Sequence, residues 1–586
     1  MHSHKTKEDE EQHAGFESSA SSPEDPPPQE EYSHILERKN MTKNEFNWLW
    51  AGVLLQAFCM SFEVQTTYGI AGYVNAYFGA TSLQAVLPTV QAVLSTSLVP
   101  LYTKVSDVFG RAPSLTFAFL CYLTGVTIEG SAGSFEQLAI GQIVYSLGST
   151  GIQALSQVVI ADTTSLLTRG IMFAMYDVGS IANIWISQAL IDPLTLGGAP
   201  DKWRIGYIAA GCITGFGALA LMVPLWYVQV QLRRRNVAQP PRRSLHWLAQ
   251  EFDIPGAVLL TLSLALVCLP LTLAKRTQGN WNNPAIISML CIGVACFVLL
   301  YFWETRWAKR PILSIKIWTN RTAFGSLMVI FMLKFMGHVA WQYLTQYFVV
   351  SRDLSFGQAN LLVRGYQVGW LVCQLIAALL LKRFKKARPM VWFGVLVYCL
   401  GIGLMIPARH RTASTAFIVV AQVLGGAGAG FAHLACSVLV TGVVHKRDIA
   451  SVVGATQILV WFGAAIGGAI SGAIWTQYLP NRLQARVTVP FDERRAMNDP
   501  LKYVKNLPAE TKLQVVEAYS DAVKLLSIVG LAFAVLTLLC ASLLQHVDLE
   551  QDQDTQDSIA MGEEPAAKKA GKTEIDAQGE EVEAKN

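Results

Sequence analysis

The sequence predicts an all-helical, polytopic membrane protein with fourteen transmembrane helices. Three observations carry that expectation. Over 586 residues, 52% are hydrophobic and only 15% charged, with a mean hydropathy of +0.35, which points to a bilayer as solvent. Apolar runs of about 20 residues recur along the chain, each long enough as a helix to cross ~30 Å of hydrocarbon. Lys and Arg gather in alternate short breaks between those runs, as in loops held on one side of a membrane.

The elements follow in order. Residues 1–45 are polar and rich in Glu, Pro, Ser and His. They lack the basic flank and short apolar core of a cleavable signal, so the first span is expected to target the chain. Low hydrophobicity and many charges predict a disordered tail here and over 546–586. Spans are expected near 46–67, 83–103, 112–129, 137–160, 171–191, 204–228, 254–274, 285–303, 322–349, 358–381, 389–407, 415–441, 450–475 and 524–545. This gives one six-helix bundle over 46–228, a basic loop with two linking helices over 229–321, and a second bundle over 322–545.

Fourteen is even, so both tails share a side. Lys104 with Arg111, Arg169, Arg233 to Arg235 with Arg242 and Arg243, the basic residues between Arg306 and Arg321, Lys382 to Arg388, and Lys446 with Arg447 fall in alternate loops. The opposite short loops hold few cations, among them Lys202, Lys275, Arg276, Arg352, Arg409 and Arg411. The basic side, and with it both tails, is expected to be cytosolic. The segment 476–523, before the last span, is long and polar and is expected outside.

The ten cysteines all lie in apolar runs, with neither a CxxC pair nor a His at metal spacing. They read as packing residues; no metal site or cofactor is expected. The net charge of +4 is accounted for by the loops, so no nucleic-acid partner is expected. HExxH, GxSxG and the phosphate-binding GxxxxGK[ST] are all missing from the sequence, which disfavours a membrane hydrolase and an ATP-driven pump. "GGAGAGFAH", residues 425–433, has no strand before it and lies inside an apolar run, so its small residues read as close helix packing.

Charged residues inside spans cost ~2.5–3.5 kcal/mol each even on the lenient insertion scale. Glu63 lies ~26 Å along the first span, as a proton carrier or a snorkelling boundary carboxylate. Asp177 is about two turns into the fifth span and is expected to face a cavity. Lys334 and His338 are four residues apart, hence on one face of the ninth span. His338 and His433 are candidates for proton handling, against a packing role for each. Glu129 is expected to be solvated at an outer boundary. Arg364 opens the tenth span, followed by Tyr366 and Trp370, a cation above an aromatic wall that could bind acyl or hydroxamate oxygen. Tyr68, Tyr73, Trp341, Tyr347, Tyr366 and Trp370 are candidate cavity walls, with interfacial anchoring as the alternative.

The charged break "KVSDVFGR", residues 104–111, is more than a membrane turn, because a turn explains Gly110 and the cations but not Asp107. A carboxylate at a helix junction can pair with Arg111 and latch neighbouring helices; Asp162 and Arg169 are expected to form a second such latch. The stretch resembles the loop between the second and third spans of major facilitator transporters, Gly-x-x-x-Asp-x-x-Gly-Arg. Lys104, Asp107, Gly110 and Arg111 lie in that pattern, with Thr103 in place of the leading Gly. The resemblance covers residues 46–545 and implies the fourteen-span branch.

Within that branch, drug:proton antiporters carry an Asp-centred pattern in the first span, an Arg in the fourth and a Gly-Pro pattern in the fifth. Here those spans read "MSFEVQTTYGIAGYVNAYF", "GQIVYSLGSTGIQALSQVVIADTTSLLTRG" and "YDVGSIANIWISQALID". Together with "LLVRGYQVGW" and the long outer loop, they resemble fungal siderophore-iron transporters. That resemblance implies proton-coupled import of ferric siderophores, of hydroxamate type, by a monomer in the plasma membrane or, second, in endosomal vesicles. It also implies an aromatic residue in the outer loop needed for uptake; Tyr519 matches it, with Tyr503 the alternative. The stretch "PAETKLQVVEAYSDAVK" could fold back as a lid, its apolar positions Val515, Val516, Tyr519 and Val523 at helical spacing, or simply extend the last span. A fourteen-span antiporter exporting drugs, a glutathione exchanger and a transporter-like nutrient sensor remain as alternatives.

Overall fold

The computed structural model describes residues 40–545, apart from 81–82, 84, 165, 197–200, 236–251, 275–279, 309–318, 411, 445–448, 489–491, 493–495, 498–502 and 505–506. Residues 1–39 of the expected N-terminal tail, the whole expected C-terminal tail, Arg242, Arg243, Lys275, Arg276, Arg411, Lys446, Arg447 and the side chain of Arg169 lie outside the described residues, while 43–45 already belong to the first helix.

All regular structure among the described residues is helical. The first bundle contains α1 (Lys43–Tyr77), α2 (Val86–Phe109), α3 (Arg111–Gly130), α4 (Phe135–Thr163), α5 (Leu166–Leu196) and α6 (Trp203–Arg234). Next come α7 (Ile254–Leu273) and α8 (Pro284–Phe302). The second bundle contains α9 (Arg321–Trp341) with α10 (Leu344–Arg352), α11 (Phe356–Val363) with α12 (Gly365–Phe384), α13 (Ala387–Ala408), α14 (Thr415–Gly442), α15 (Ile449–Arg486) and α16 (Ala509–Ser542). Since α9 and α10 together make one crossing, and α11 and α12 another, fourteen segments span the molecule. The basic loops share one end of it, called here the basic end.

Local chemistry fixes where helices begin. Thr42 accepts from the Glu45 amide while Glu45 accepts from the Thr42 amide, a capping box that starts α1. Ser134, Asn320 and Ser414 cap α4, α9 and α14 through their side-chain oxygens. Gly110 separates α2 from α3 at φ 99°, which favours glycine, and a Cβ there would meet Gln229 Nε2 at 2.1 Å.

Within the first bundle α1 packs on α5 and α6, and α3 on α4 and α6. Within the second, α14 packs against α12 and α13, and α9 against α15 and α16. The bundles meet along α2–α15 and α5–α12. Outside this seam, α7 covers α2 and α15, joined to α2 by a 2.6 Å hydrogen bond between Ser97 and Thr261. α8 packs chiefly on α7 and leaves most of its surface for lipid. The "GGAGAGFAH" glycines lie inside α14, where Gly426 meets α12 backbone and Gly428 meets α13 backbone.

Several helices outrun the apolar runs. α1 continues to Tyr77 and α15 to Arg486, while α16 begins at Ala509. The expected loop 476–523 therefore shrinks to 487–508, and "PAETKLQVVEAYSDAVK" extends the last span rather than folding back. Val515, Val516, Tyr519 and Val523 are buried in the second bundle's own core. Tyr519 meets Trp475 edge-on at 5.4 Å and donates from its hydroxyl to the Ala496 carbonyl at 3.0 Å, holding the loop down.

Candidate functional site

A cavity lies between the bundles in the half nearer the basic end, lined by α4, α5, α12, α14 and α15. Polar groups concentrate there: Gln157, Tyr176, Asp177, Gln374, His433, Ser437, Thr456 and Gln457. Asp177 projects from α5, and the Gln374 amide of α12 donates to its Oδ2 at 2.9 Å, a hydrogen bond between bundles. Lys334 interacts electrostatically with Asp177 and holds its ammonium 4.1 Å from the Trp370 ring centre, a cation–π contact.

Trp370 belongs to an aromatic row. Trp341 lies 4.3 Å from Tyr366, Tyr366 6.2 Å from Trp370, and Trp370 5.1 Å from the His433 ring. His433 Nδ1 is buried without a hydrogen-bond partner among the described residues. His338 instead places its Nδ1 3.0 Å from the Lys334 carbonyl, one turn back on its own helix.

The opposite end is closed. Arg364 donates to the Gln65 carbonyl at 3.1 Å and to Gln367 at 3.0 Å, and its guanidinium lies 5.6 Å from the Tyr68 ring centre. Phe356 fills the space a Cβ on Gly72 would need, 2.7 Å away, which lets α11 press onto α1. Tyr73 packs here between the cores of the two bundles. Tyr347 is elsewhere, buried in the second bundle with its hydroxyl donating to the Arg409 carbonyl at 2.6 Å.

The charged break forms an ion triad at the basic end. Arg111 pairs with Asp107, and with Asp162 of α4 at 3.1 Å, and it donates to Ser106 Oγ at 2.6 Å. The Ala112 amide donates to Gln229 of α6 at 3.0 Å, so one turn gathers α2, α3, α4 and α6. Asp162 thus joins the Asp107–Arg111 latch. Lys104, at the start of the motif, is half-buried near the same end of α2.

Of the two readings of Glu63, burial removes the snorkelling boundary one: it is fully buried, accepting from the Tyr145 hydroxyl at 3.0 Å. Two further acidic or basic groups differ from expectation. Glu129 is buried rather than solvated, because α4 packs over it and Gly141 leaves room for its side chain. Arg409, read as a loop cation, is fully buried beneath α10 and α16, with no hydrogen-bond partner for its guanidinium among the described residues. Burial lowers Arg409 to about 9.

The sequence reading missed Gln374, Gln229 and Tyr145. A glutamine nearly three turns beyond Arg364 on a span is a signal that could have pointed to Gln374. Which side chain it faces depends on the other bundle.

Comparison with known proteins bears on the whole chain. The Major Facilitator Superfamily model matches residues 318–481, and the Sugar (and other) transporter model matches 99–236. The chain is 28% identical to MFS siderochrome iron transporter C of Aspergillus fumigatus, over 87% of this chain and 85% of that one. Siderophore iron transporter mirC of Emericella nidulans is 29% identical over 74% and 73%. Siderophore iron transporter 2 of Schizosaccharomyces pombe is 26% identical over 79% and 80%. Among solved structures, a bacterial homologue of the human lysosomal transporter Spinster, inward-facing and occupied, superposes with TM-score 0.55 at 13% identity, over 86% of this chain and 97% of that one. A peptide transporter bound to sulfate does so with TM-score 0.52 at 14% identity, over 88% and 99%. These two likenesses concern the fold.

Proposed function

We propose, since this chain belongs to the fungal siderophore-iron transporter family of the major facilitator superfamily, that it imports ferric siderophores of hydroxamate type together with protons by alternating access. The observation that carries the reading is the cavity between the bundles, lined only by residues of the half nearer the basic end, with Arg364 joining the bundles at the other. With the basic end in the cytosol, this is an inward-facing state.

In this reading the cargo is a large complex whose oxygen ligands wrap iron. The Trp341–Tyr366–Trp370 row offers it flat apolar walls, and Lys334 a cation for its carbonyl or hydroxamate oxygens. Asp177 and Gln374 tie the bundles together beside the cavity, so protonating Asp177 would weaken a charge-assisted hydrogen bond and free the bundles to rock. His433 and Glu63 are further proton-handling candidates. Inward movement of one proton supplies ~2.3 kcal/mol per 100 mV plus its pH term, enough to concentrate a neutral complex.

The test is uptake of radio-iron from a panel of purified ferric siderophores into cells lacking their own transporters. Import requires accumulation of at least one complex, abolished by a protonophore. Absence of accumulation with the protein at the cell surface would overturn the reading, and efflux of preloaded complex would replace it with export.

A further inference from the structure

A second set of titratable groups lies outside the cavity, in the half of the first bundle opposite it. Glu63 of α1 and Glu129 of α3 are 0% and 2% exposed. Both face one turn of α4: Glu129 Cγ lies 2.7 Å from where a Cβ on Gly141 would stand, and Tyr145, four residues on, hydrogen-bonds Glu63, so the two carboxylates interact. Tyr145 of α4 donates to Glu63 Oε2 at 3.0 Å, and the Thr67 hydroxyl reaches Glu63 Oε1 at 3.4 Å. Glu129 Oε1 is buried with no hydrogen-bond partner among the described residues; the Tyr122 ring lies 5.7 Å from that of Tyr145, and its hydroxyl has Thr214 of α6 beside it. Tyr207 and Cys212 face the cluster from α6.

The neighbouring cations are engaged elsewhere. Arg204 donates to the Gly130 carbonyl at 3.2 Å and pairs with Asp201 at 3.5 Å. Arg364 is held by Gln367, the Gln65 carbonyl and the Tyr68 ring. Among the described residues no cation pairs with either carboxylate; two carboxylates so placed in a low-dielectric core repel each other, and a bound proton removes that repulsion. The orphaned Oε1 of Glu129 is a buried acceptor that such a proton would satisfy.

We propose that Glu63 and Glu129 form a shared proton-binding pair, remote from the cavity, whose occupancy is sensed by the closure at that end. The proposal rests on the proton-coupled reading above and deepens it. Tyr145 and the cavity-lining Gln157 are both on α4, twelve residues apart, about 18 Å along the helix, so the pair does not touch cargo there. Its link to closure is α1 itself. Glu63 is two residues from Gln65, whose carbonyl holds Arg364, and five from Tyr68, whose ring lies near the Arg364 guanidinium. A change of charge on the pair therefore acts on the turn of α1 that binds the second bundle.

The test is an infrared pH titration of the purified full-length protein in detergent, following the protonated-carboxyl stretch. The difference between wild type and the Glu63→Gln/Glu129→Gln double variant is expected to titrate in two steps, and the difference between either single variant and the double variant in one. Glu129→Asp, which keeps a carboxylate, is expected to retain both steps. Identical titrations in wild type and both single variants would overturn the proposal. Should a Gln variant not fold, Tyr145→Phe is expected to shift the frequency of the stretch; an unchanged spectrum would also overturn it. Uptake of a ferric trihydroxamate is measured separately, so failure of wild-type uptake removes the cargo reading while the titration alone decides the pair.

Discussion

Asp177 and Gln374 show how one residue can be half legible. A carboxylate two turns inside an apolar run signals a cavity, because hydrocarbon would otherwise penalise it. Its partner comes from the other bundle and has no sequence signature. If this hydrogen bond restrains rocking, Gln374→Ala should change the maximal rate of radio-iron uptake while leaving half-saturation within about threefold, a difference under ~1 kcal/mol. Asp177→Asn should flatten the dependence of uptake on external pH; a wild-type pH profile would remove Asp177 from coupling. Arg409 is the opposite case, since nothing in "PARHR" distinguishes a buried cation from a loop cation. Its folded value of about 9 lies well below the ordinary arginine value, so it binds its proton less tightly in the fold. Its penalty is present in full below about pH 9 and fades as the pH rises above that toward the unfolded value. Arg409→Met is therefore expected to raise the melting temperature of the purified protein at pH 7; a fall would show that the guanidinium has a partner in the membrane.

At the scale of elements, the turn at Gly110 is a joint for four helices. Asp107→Asn removes one charge from the Arg111 triad and leaves Asp162 in place. It should slow turnover with little change in equilibrium affinity for cargo, because a conformational balance moves rather than a contact. A large affinity loss at unchanged maximal rate would count against the latch. α16 makes a second point about elements. Its extension past the membrane buries Tyr519 against Trp475, so Tyr519→Phe loses one hydrogen bond, about 1 kcal/mol, whereas Tyr519→Ala also opens a cavity, about 3–5 kcal/mol. Thermal unfolding should rank wild type, Phe and Ala in that order. Comparable uptake by all three would leave Tyr519 as a structural anchor of the loop and remove it from cargo binding.

At the scale of the whole molecule, the seam α2–α15 and α5–α12 is the contact about which two bundles can rock, and α7 with α8 sits outside it. The cavity lies in the half nearer the basic end, so in the inward-facing reading Ser437→Cys and Thr456→Cys should react with a membrane-impermeant maleimide applied from the basic side above the background of the native cysteines. Binding of cargo from the other side should lower that reactivity, since opening one face closes the other. Labelling of these positions equal from both sides would rule out a closed outer end.

The sequence by itself determined the membrane solvent, the fourteen crossings, the charged break after α2 and the family. These depend on local composition, on the length needed to cross hydrocarbon and on residue types at fixed short spacing. Helix ends were less legible, because α1, α15 and α16 continue as polar helix beyond the apolar run, and hydropathy marks where lipid stops rather than where hydrogen bonding stops. What only the tertiary structure decided was which polar residues meet. Glu63 with Tyr145, Asp162 with Arg111, and Asp177 with Gln374 stand 82, 51 and 197 residues apart. Such pairs depend on the rotation of each helix about its axis, which is fixed by packing against neighbours distant in sequence, and the periodicity of any one span leaves that partner unnamed.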